Sequence, residues 1–176
     1  MTAIDTIEVR RLAGVELETQ LDGLARVLFD CVAGGASVGY MAPFSIDDAR
    51  AEFEQWAAEA ARGRRAILAA FIEGELVGTA QLILALPANQ PHRAEVARVI
   101  VHSSARRRGV ARLLMERLEL EARAEDRTLL VLDAVSDGDA ARLYARLGWT
   151  EVGVIPGYAL FPDGRPCDTT VFWKAL

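Results

Sequence analysis

The stretch that decides the fold is Arg93–Leu120, RAEVARVIVHSSARRRGVARLLMERLEL. Val96, Val99, Ile100 and Val101 form an apolar, β-branched run, which reads as a buried strand. A short polar link follows, His102-Ser103-Ser104-Ala105, and beyond Arg106, Arg107, Arg108 and Gly109 the pattern turns helical. Val110, Leu113, Leu114 and Leu118 share one face there, while Arg112, Glu116, Glu119 and Arg123 point mostly elsewhere. A strand, a basic turn with a glycine and a helix together make a seat for phosphate. A helix start offers backbone N–H groups without intrahelical partners, and its dipole favours an anion. Gly109 lets the backbone approach closely. Arg106, Arg107, Arg108 and Arg112 add charge-assisted donors suited to a pyrophosphate. The same residues also fit a solvated basic turn ahead of an ordinary surface helix.

Upstream, Ile7 and Val9 alternate with Glu8 and Arg10 in a first strand over Thr6–Leu12. Leu21, Leu24, Leu28 and Val32 stripe one helix from Leu17 to Ala33, which stops at Gly34-Gly35. The aperiodic, apolar loop Ala36–Phe44 can wall a substrate or plug the end of the core. Ser45, with Asp48 three residues on, has capping-box spacing and opens a second helix whose apolar face is Phe53, Trp56, Ala57 and Ala60. Ala66–Ile72 and Leu76–Leu86, joined by Glu73-Gly74-Glu75, predict a β-hairpin. Downstream, Leu129–Val135 (LLVLDAV) is another buried-type strand, and Gly138–Leu147 a short helix. Thr150–Ile155 and Thr169–Trp173 are a last pair of strands, with Asp163-Gly164 turning between them. No repeat or linker interrupts this order. It predicts one mixed α/β domain over residues 1–176.

Composition narrows the function. An apolar fraction of 52% with 26% charged residues belongs to a globular chain. No segment nears the ~20 apolar residues of a spanning helix. Met1–Asp5 lacks a signal-peptide pattern, and Cys31 and Cys167 make neither a disulfide framework nor a metal-ligand spacing. A cytoplasmic, metal-free protein off the membrane is expected. Twenty basic against 25 acidic residues give a net charge of −5, which disfavours nucleic acid as a partner and suits a cationic substrate such as an amine. Neither G-x-x-x-x-G-K-[ST] nor a post-strand G-x-G-x-x-G occurs, and no aromatics interleave the arginines. His92 and His102 stand near no Ser or Cys nucleophile motif, so a hydrolase triad has no support.

Several of these motifs coincide in one known family. The strand, the Arg106-x-x-Gly109-x-Ala111 turn with its helix, LLVLDAV, and Ala140-x-x-Leu143-Tyr144-x-x-Leu147-Gly148-Trp149 resemble the GNAT N-acetyltransferase superfamily, in order, across nearly the whole chain. Within it, Gly34–Ala42 (GGASVGYMA), Arg93–Val96 (RAEV), the Arg106 turn and Pro156–Arg165 (PGYALFPDGR) are similar to the tabtoxin-resistance acetyltransferases. The resemblance implies a mostly antiparallel twisted sheet of about seven strands with about four helices, splayed in the middle to hold acetyl-CoA. Backbone groups of Val99, Ile100 and Val101 would align the pantetheine arm like another strand. The turn Arg106, Arg107, Arg108, Gly109, Val110, Ala111 and Arg112 would hold the pyrophosphate. Tyr144 matches the tyrosine that protonates the leaving thiolate in many members. Asp137 stands where members often have Asn, and a carboxylate cannot donate at neutral pH, so no cofactor contact is expected there.

Acetyl transfer to an amine sets its own demands. A free alkylammonium, with a pKa of ~10.4, is mostly protonated and non-nucleophilic at neutral pH. A proton acceptor and a donor for the developing oxyanion are required. Glu95 and Asp133 are the acceptor candidates, carboxylates set in strand-like apolar contexts whose burial and mutual repulsion would raise a pKa. Glu95 can instead pair with Arg93 or Arg98, Asp133 can cap the next turn, and Tyr144 can be ordinary core. The oxyanion donor is expected from backbone near Val99–Val101. Tyr40, Met41 and Tyr158 are candidate acceptor-wall residues, or packing. The sequence thus points to an acetyl-CoA-dependent N-acetyltransferase acting on a small amine, toxin or antibiotic amines included. A non-catalytic acyl-CoA sensor and a protein N-acetyltransferase are the alternatives, and the terminal strands could pair in a homodimer.

Overall fold

Ala66–Ile72 is buried along its whole length, so its strand must be covered on both faces. In the computed structural model, which describes residues 6–176, it is. The reading of Met1–Asp5 lies outside the described residues. The strands are β1 (Ile7–Leu12), β2 (Arg65–Ile72), β3 (Glu75–Ile83), β4 (Arg93–Val101), β5 (Leu129–Val135), β6 (Thr150–Leu160) and β7 (Pro166–Ala175). The helices are α1 (Gly14–Thr19), α2 (Leu21–Ala33), α3 (Ile46–Ala61), α4 (Val110–Ala124) and α5 (Asp139–Arg146). One sheet runs in the order β1-β2-β3-β4-β5-β7-β6, and every neighbouring pair is antiparallel except β4 with β5.

Strand alternation divides the core into two layers. Leu68, Ala70, Leu82 and Leu130 face α4 and α5, packing with Leu114, Met115, Leu118 and Tyr144. Ile67, Ala69 and Phe71 face α2 and α3, packing with Leu24, Leu28, Phe53 and Trp56. α3 starts as its sequence dictates. Ser45 Oγ accepts from the Asp48 N–H at 3.1 Å, and the Asp48 carboxylate accepts from the Ser45 N–H at 2.9 Å. A cap of this kind contributes about 1 kcal/mol.

Three expectations are corrected. Among the described residues there are five α-helices, because the stretch expected as one helix from Leu17 divides at Gln20. Thr19 Oγ1 bonds back to the Glu16 carbonyl at 2.8 Å, and Gly23 brings α2 against Leu76. The apolar stripe crosses the break undisturbed, which hid it. Leu113 is only half-buried, and Met115 fills the core position under α4. The last hairpin is longer than expected: β6 continues through Pro156 and Gly157 by slipping register between Ile155 and Ala159. As the edge strand it tolerates a residue without an N–H. Among the described residues, no helix is long and apolar enough to cross a membrane.

Candidate active site

β4 and β5 pair at Arg93↔Leu129, Ala94↔Leu130 and Glu95↔Val131, and then part. β5 cannot follow β4, because all seven of its residues are in register with β7. β4 stays with β3 but slips register between Thr79 and Gln81, where Arg98 takes a φ of 53°. A bulge of this kind bends and twists its strand, and holding a non-glycine residue in the left-handed region costs roughly 1–2 kcal/mol. The backbone of Val99, Ile100 and Val101 therefore runs along an opening in the sheet.

Below that opening lies the basic turn. Arg107 (φ 64°) and Gly109 (φ 85°) are both left-handed, and α4 begins at Val110 with no side-chain cap. Its first N–H groups are left to a ligand or to water. Val110 is buried, Ala111 half-buried and Arg112 exposed, its guanidinium 2.8 Å from Glu116. α4 comes close to the sheet because Gly78 has no side chain: a Cβ there would lie 3.1 Å from Val110 Cγ1 and 3.2 Å from Leu114 Cδ1. The arginines divide their work. Arg107 extends into solvent, 3.8 Å from Asp139, whereas Arg106 folds back to donate to the Val101 carbonyl at 3.2 Å. Behind it, Asp30 accepts from the Ser103 N–H (2.7 Å) and hydroxyl (2.8 Å). Burial raises the Asp30 pKa, but the Ser103 bonds, His102 and Arg106 outweigh it and hold the carboxyl below its ordinary range. Asp30 thus fixes the entry to the turn, a role its place on α2 did not signal.

Glu95 and Asp133 lie on the α2–α3 face of the sheet, alternating with neighbours that face α4. Glu95 pairs with Arg93 at 3.0 Å. Burial pushes the Asp133 carboxyl above its ordinary range; Arg98 opposes the shift and Glu95 adds to it. Tyr144 is on the other face, 4% exposed, against Trp149 and Phe172 with ring centroids 6.0 and 5.8 Å away. Burial first, and then the charge of Asp133, raise its hydroxyl above the ordinary range. Asp133 and Tyr144 therefore sense each other across the sheet, a carboxyl held above its ordinary range on one face and a buried hydroxyl on the other.

Residues 36–149 match the family model for acetyltransferases of the GNAT family. The chain belongs to the GNAT acetyltransferase family. It is an N-acetyltransferase, and acetyl-CoA is its cosubstrate. Solved structures similar to it include a ribosomal-protein-alanine N-acetyltransferase from Brucella melitensis, 24% identical, with TM-score 0.81 over 96% of this chain and 99% of that one. A putative acetyltransferase from Salmonella typhimurium, solved with its cofactor acetyl-CoA, is 22% identical (TM-score 0.79; 97% and 94% covered). A putative phosphinothricin N-acetyltransferase is 18% identical (TM-score 0.78; 97% and 99% covered). These likenesses are likenesses of fold. The GNAT sheet opening, with an uncapped helix start and two left-handed turn residues beneath it, fits a strand-like pantetheine arm and a pyrophosphate.

Of the acceptor-wall candidates, Tyr40 alone is turned inward. Its ring lies under Arg98 (5.5 Å), and its hydroxyl meets Glu52 and Arg98. Burial pushes that hydroxyl up to about 12, with Arg98 opposing and Glu52 helping. Met41 and Tyr158 remain exposed, at 46% and 58%. The loop bearing Tyr40 is tied to the β6–β7 turn: Ser37 Oγ donates to the Leu160 carbonyl (2.7 Å) and the Ala42 N–H to the Pro162 carbonyl (3.0 Å). Arg98, Trp56 and Glu52 were not among the expected site residues. Arg98 had appeared only as a partner for Glu95 and Trp56 only as core, since neither a bulge nor a platform leaves a mark in the sequence. A separate cleft of about 420 Å³ lies between the end of α2 and the β6–β7 turn. It is apolar, with Asp163 its one acidic liner, and lacks the convergent polar groups of a reaction site.

Proposed function

We propose that this acetyltransferase acetylates the primary amine of a small, amino-acid-like molecule by direct attack on the thioester. The observation that carries this reading is the pair formed across the sheet by Asp133, with its raised pKa, and Tyr144. Acetyl-CoA supplies the electrophilic thioester. Val99, Ile100 and Val101 align its pantetheine arm through their backbone, and Arg106–Arg112 hold its pyrophosphate. Asp133, with Glu95 beside it, attracts the ammonium and takes its proton directly or through water. A carboxyl held above its ordinary range is a stronger base than one at it. Tyr144 stays protonated at neutral pH and returns a proton to the departing sulfur. Backbone N–H groups near Val99–Val101 face the developing oxyanion. Tyr40 closes the acceptor side, and Met41 and Tyr158 border its rim.

The test is thiol release from acetyl-CoA with purified protein. The panel spans amino acids, small toxin and antibiotic amines, and peptides offering an N-terminal alanine or a lysine. Rapid release with a small amine supports the proposal. Release only with peptides would make the chain a protein N-acetyltransferase, and acetyl-CoA binding without release from any amine would make it an acyl-CoA sensor. The likeness to the tabtoxin-resistance enzymes extends the proposal to a resistance role, read by survival of cells expressing the chain under toxin.

We also infer a cytoplasmic homodimer. Cys31 and Cys167 are both buried and free, as suits a reducing compartment. β6 is an edge strand whose Val152, Val154, Tyr158 and Leu160 are exposed at 44% or more, a surface for a second copy. Light scattering at micromolar concentration should give twice the 19.1 kDa chain mass, and Val154→Lys should return the monomer. A wild-type monomer at that concentration overturns the dimer.

A further inference from the structure

Arg98 is held in a way that its protein partners do not explain. It occupies the left-handed region at the β4 bulge, and its guanidinium lies 5.5 Å from the Tyr40 ring centroid and 5.4 Å from that of Trp56. Gly39 makes room for it: a Cβ there would come within 3.1 Å of a guanidinium nitrogen. Asp133 feels its charge and Glu52 lies beyond Tyr40, yet among the described residues no carboxylate approaches Arg98 within 4.0 Å. Its Nε is buried and has no hydrogen-bond partner.

Arg65 shares the same Trp56 platform. Arg65 lies 5.3 Å from the Trp56 centroid, but it donates to Glu59 at 2.8 Å and to Gln81 Oε1 at 2.7 Å. That second bond fixes the Gln81 amide with its nitrogen turned away. Gln81 Nε2 is also buried without a partner, and Gln81 pairs with Ala97, the residue before Arg98. Two donors beside one bulge thus lack an acceptor in the protein. Gln81 is fully buried and out of a ligand's reach, whereas Arg98, with no carboxylate partner among the described residues, can take one from outside. Arg98 itself is only half-buried, which leaves a ligand a way in.

We infer that Arg98 recognises a carboxylate of the acceptor, so that the substrate is an amine bearing an acid group close by, as an α-amino acid does. This deepens the function proposed above and rests on it. The same face presents the carboxylates of Asp133 and Glu95 to an ammonium and the guanidinium of Arg98 to an anion. A zwitterion satisfies both; a plain alkylamine leaves Arg98 unmet, and a simple acid is repelled by the carboxylates.

The experiment compares amino acids with their primary amides, with rates expressed per unprotonated amine because the amide also makes the α-amine less basic. Wild-type kcat/KM should favour each acid over its amide by about tenfold or more, as expected for a charge-assisted bond to arginine. In Arg98→Gln, with folding checked by circular dichroism, the ratio should fall towards one through the KM of the acid. Arg98→Lys, which keeps the charge but loses the planar fork, should restore part of it. A wild-type ratio near one, which requires no variant, overturns the inference, and so does an Arg98→Gln protein with the wild-type ratio. If no small amine is acetylated at all, the function proposed above fails separately. Calorimetric titration of N-acetyl amino acids against N-acetyl amino amides then decides Arg98: acid-selective binding lost in Arg98→Gln upholds it, and equal binding overturns it.

Discussion

Replacing Tyr144 by Phe removes one oxygen from a side chain that is 4% exposed and leaves its ring against Trp149 and Phe172. Packing is retained, so the melting temperature should hold within a few degrees, whereas Tyr144→Ala would open a cavity costing about 3–5 kcal/mol. The chemistry should respond differently. A positioned general acid contributes typically 10²–10⁴-fold, so Tyr144→Phe should slow single-turnover thiol release by about that range with acetyl-CoA affinity nearly intact. The raised pKa gives a second readout. The folded hydroxyl titrates above the unfolded value of ~10, so its contribution to stability is complete below pH ~10 and is lost as pH rises through the folded pKa. Wild-type protein should therefore lose stability above pH ~10 more steeply than the Phe variant. Single-turnover rates in rapid-mixing experiments, with calorimetric affinities, measure the first effect, and alkaline denaturation the second. A Phe variant that releases thiol within twofold of wild type, with acetyl-CoA bound normally, would refute the acid role.

Asp133→Asn should cut kcat/KM by at least tenfold and should remove the acid limb of the pH–rate profile. Because the folded Asp133 pKa is raised, that limb lies above the ordinary carboxylate range: the base is lost as pH falls through it, and a variant keeping the wild-type limb would absolve Asp133. Gly78→Val would push Val110 and Leu114 off the sheet and destabilise the fold by about 1–3 kcal/mol, lowering Tm by roughly 2–4 °C per kcal/mol. Its acetyl-CoA affinity should fall as well, because the displaced element is the start of α4; unchanged calorimetric affinity would separate that helix start from the cosubstrate.

Much of this was legible in the chain because local chemistry and global fold agree. The Ser45–Asp48 box, the Gly74 turn, the apolar β2 and the basic turn before α4 each state their structure in a few adjacent residues. The order of elements then sufficed to place Glu95 and Asp133 on neighbouring strands. What escaped was non-local. The break at Gln20 involves no proline, and the Leu17, Leu21, Leu24, Leu28 stripe runs through it. Asp30 looks like a solvated helix residue until the start of the basic turn folds over it. Trp56 reads as core and is core, but its ring also carries Arg65 and Arg98.

Arg98 escaped for a different reason, and that reason ties the fold to the site. A left-handed position in a strand is one that glycine would occupy at no steric cost, and glycine there would have been a visible sign of a bulge. An arginine gives no such sign. Its strain is tolerable because the surroundings fix the conformation: β3 holds one side of β4, the Tyr40 and Trp56 rings flank the guanidinium, and Gly39 yields the space. The bulge that turns β4 away from β5 is therefore the same device that presents a guanidinium beside Asp133. Opening the sheet and placing a cation beside Asp133 thus meet in one residue, the first through its backbone angles and the second through its side chain.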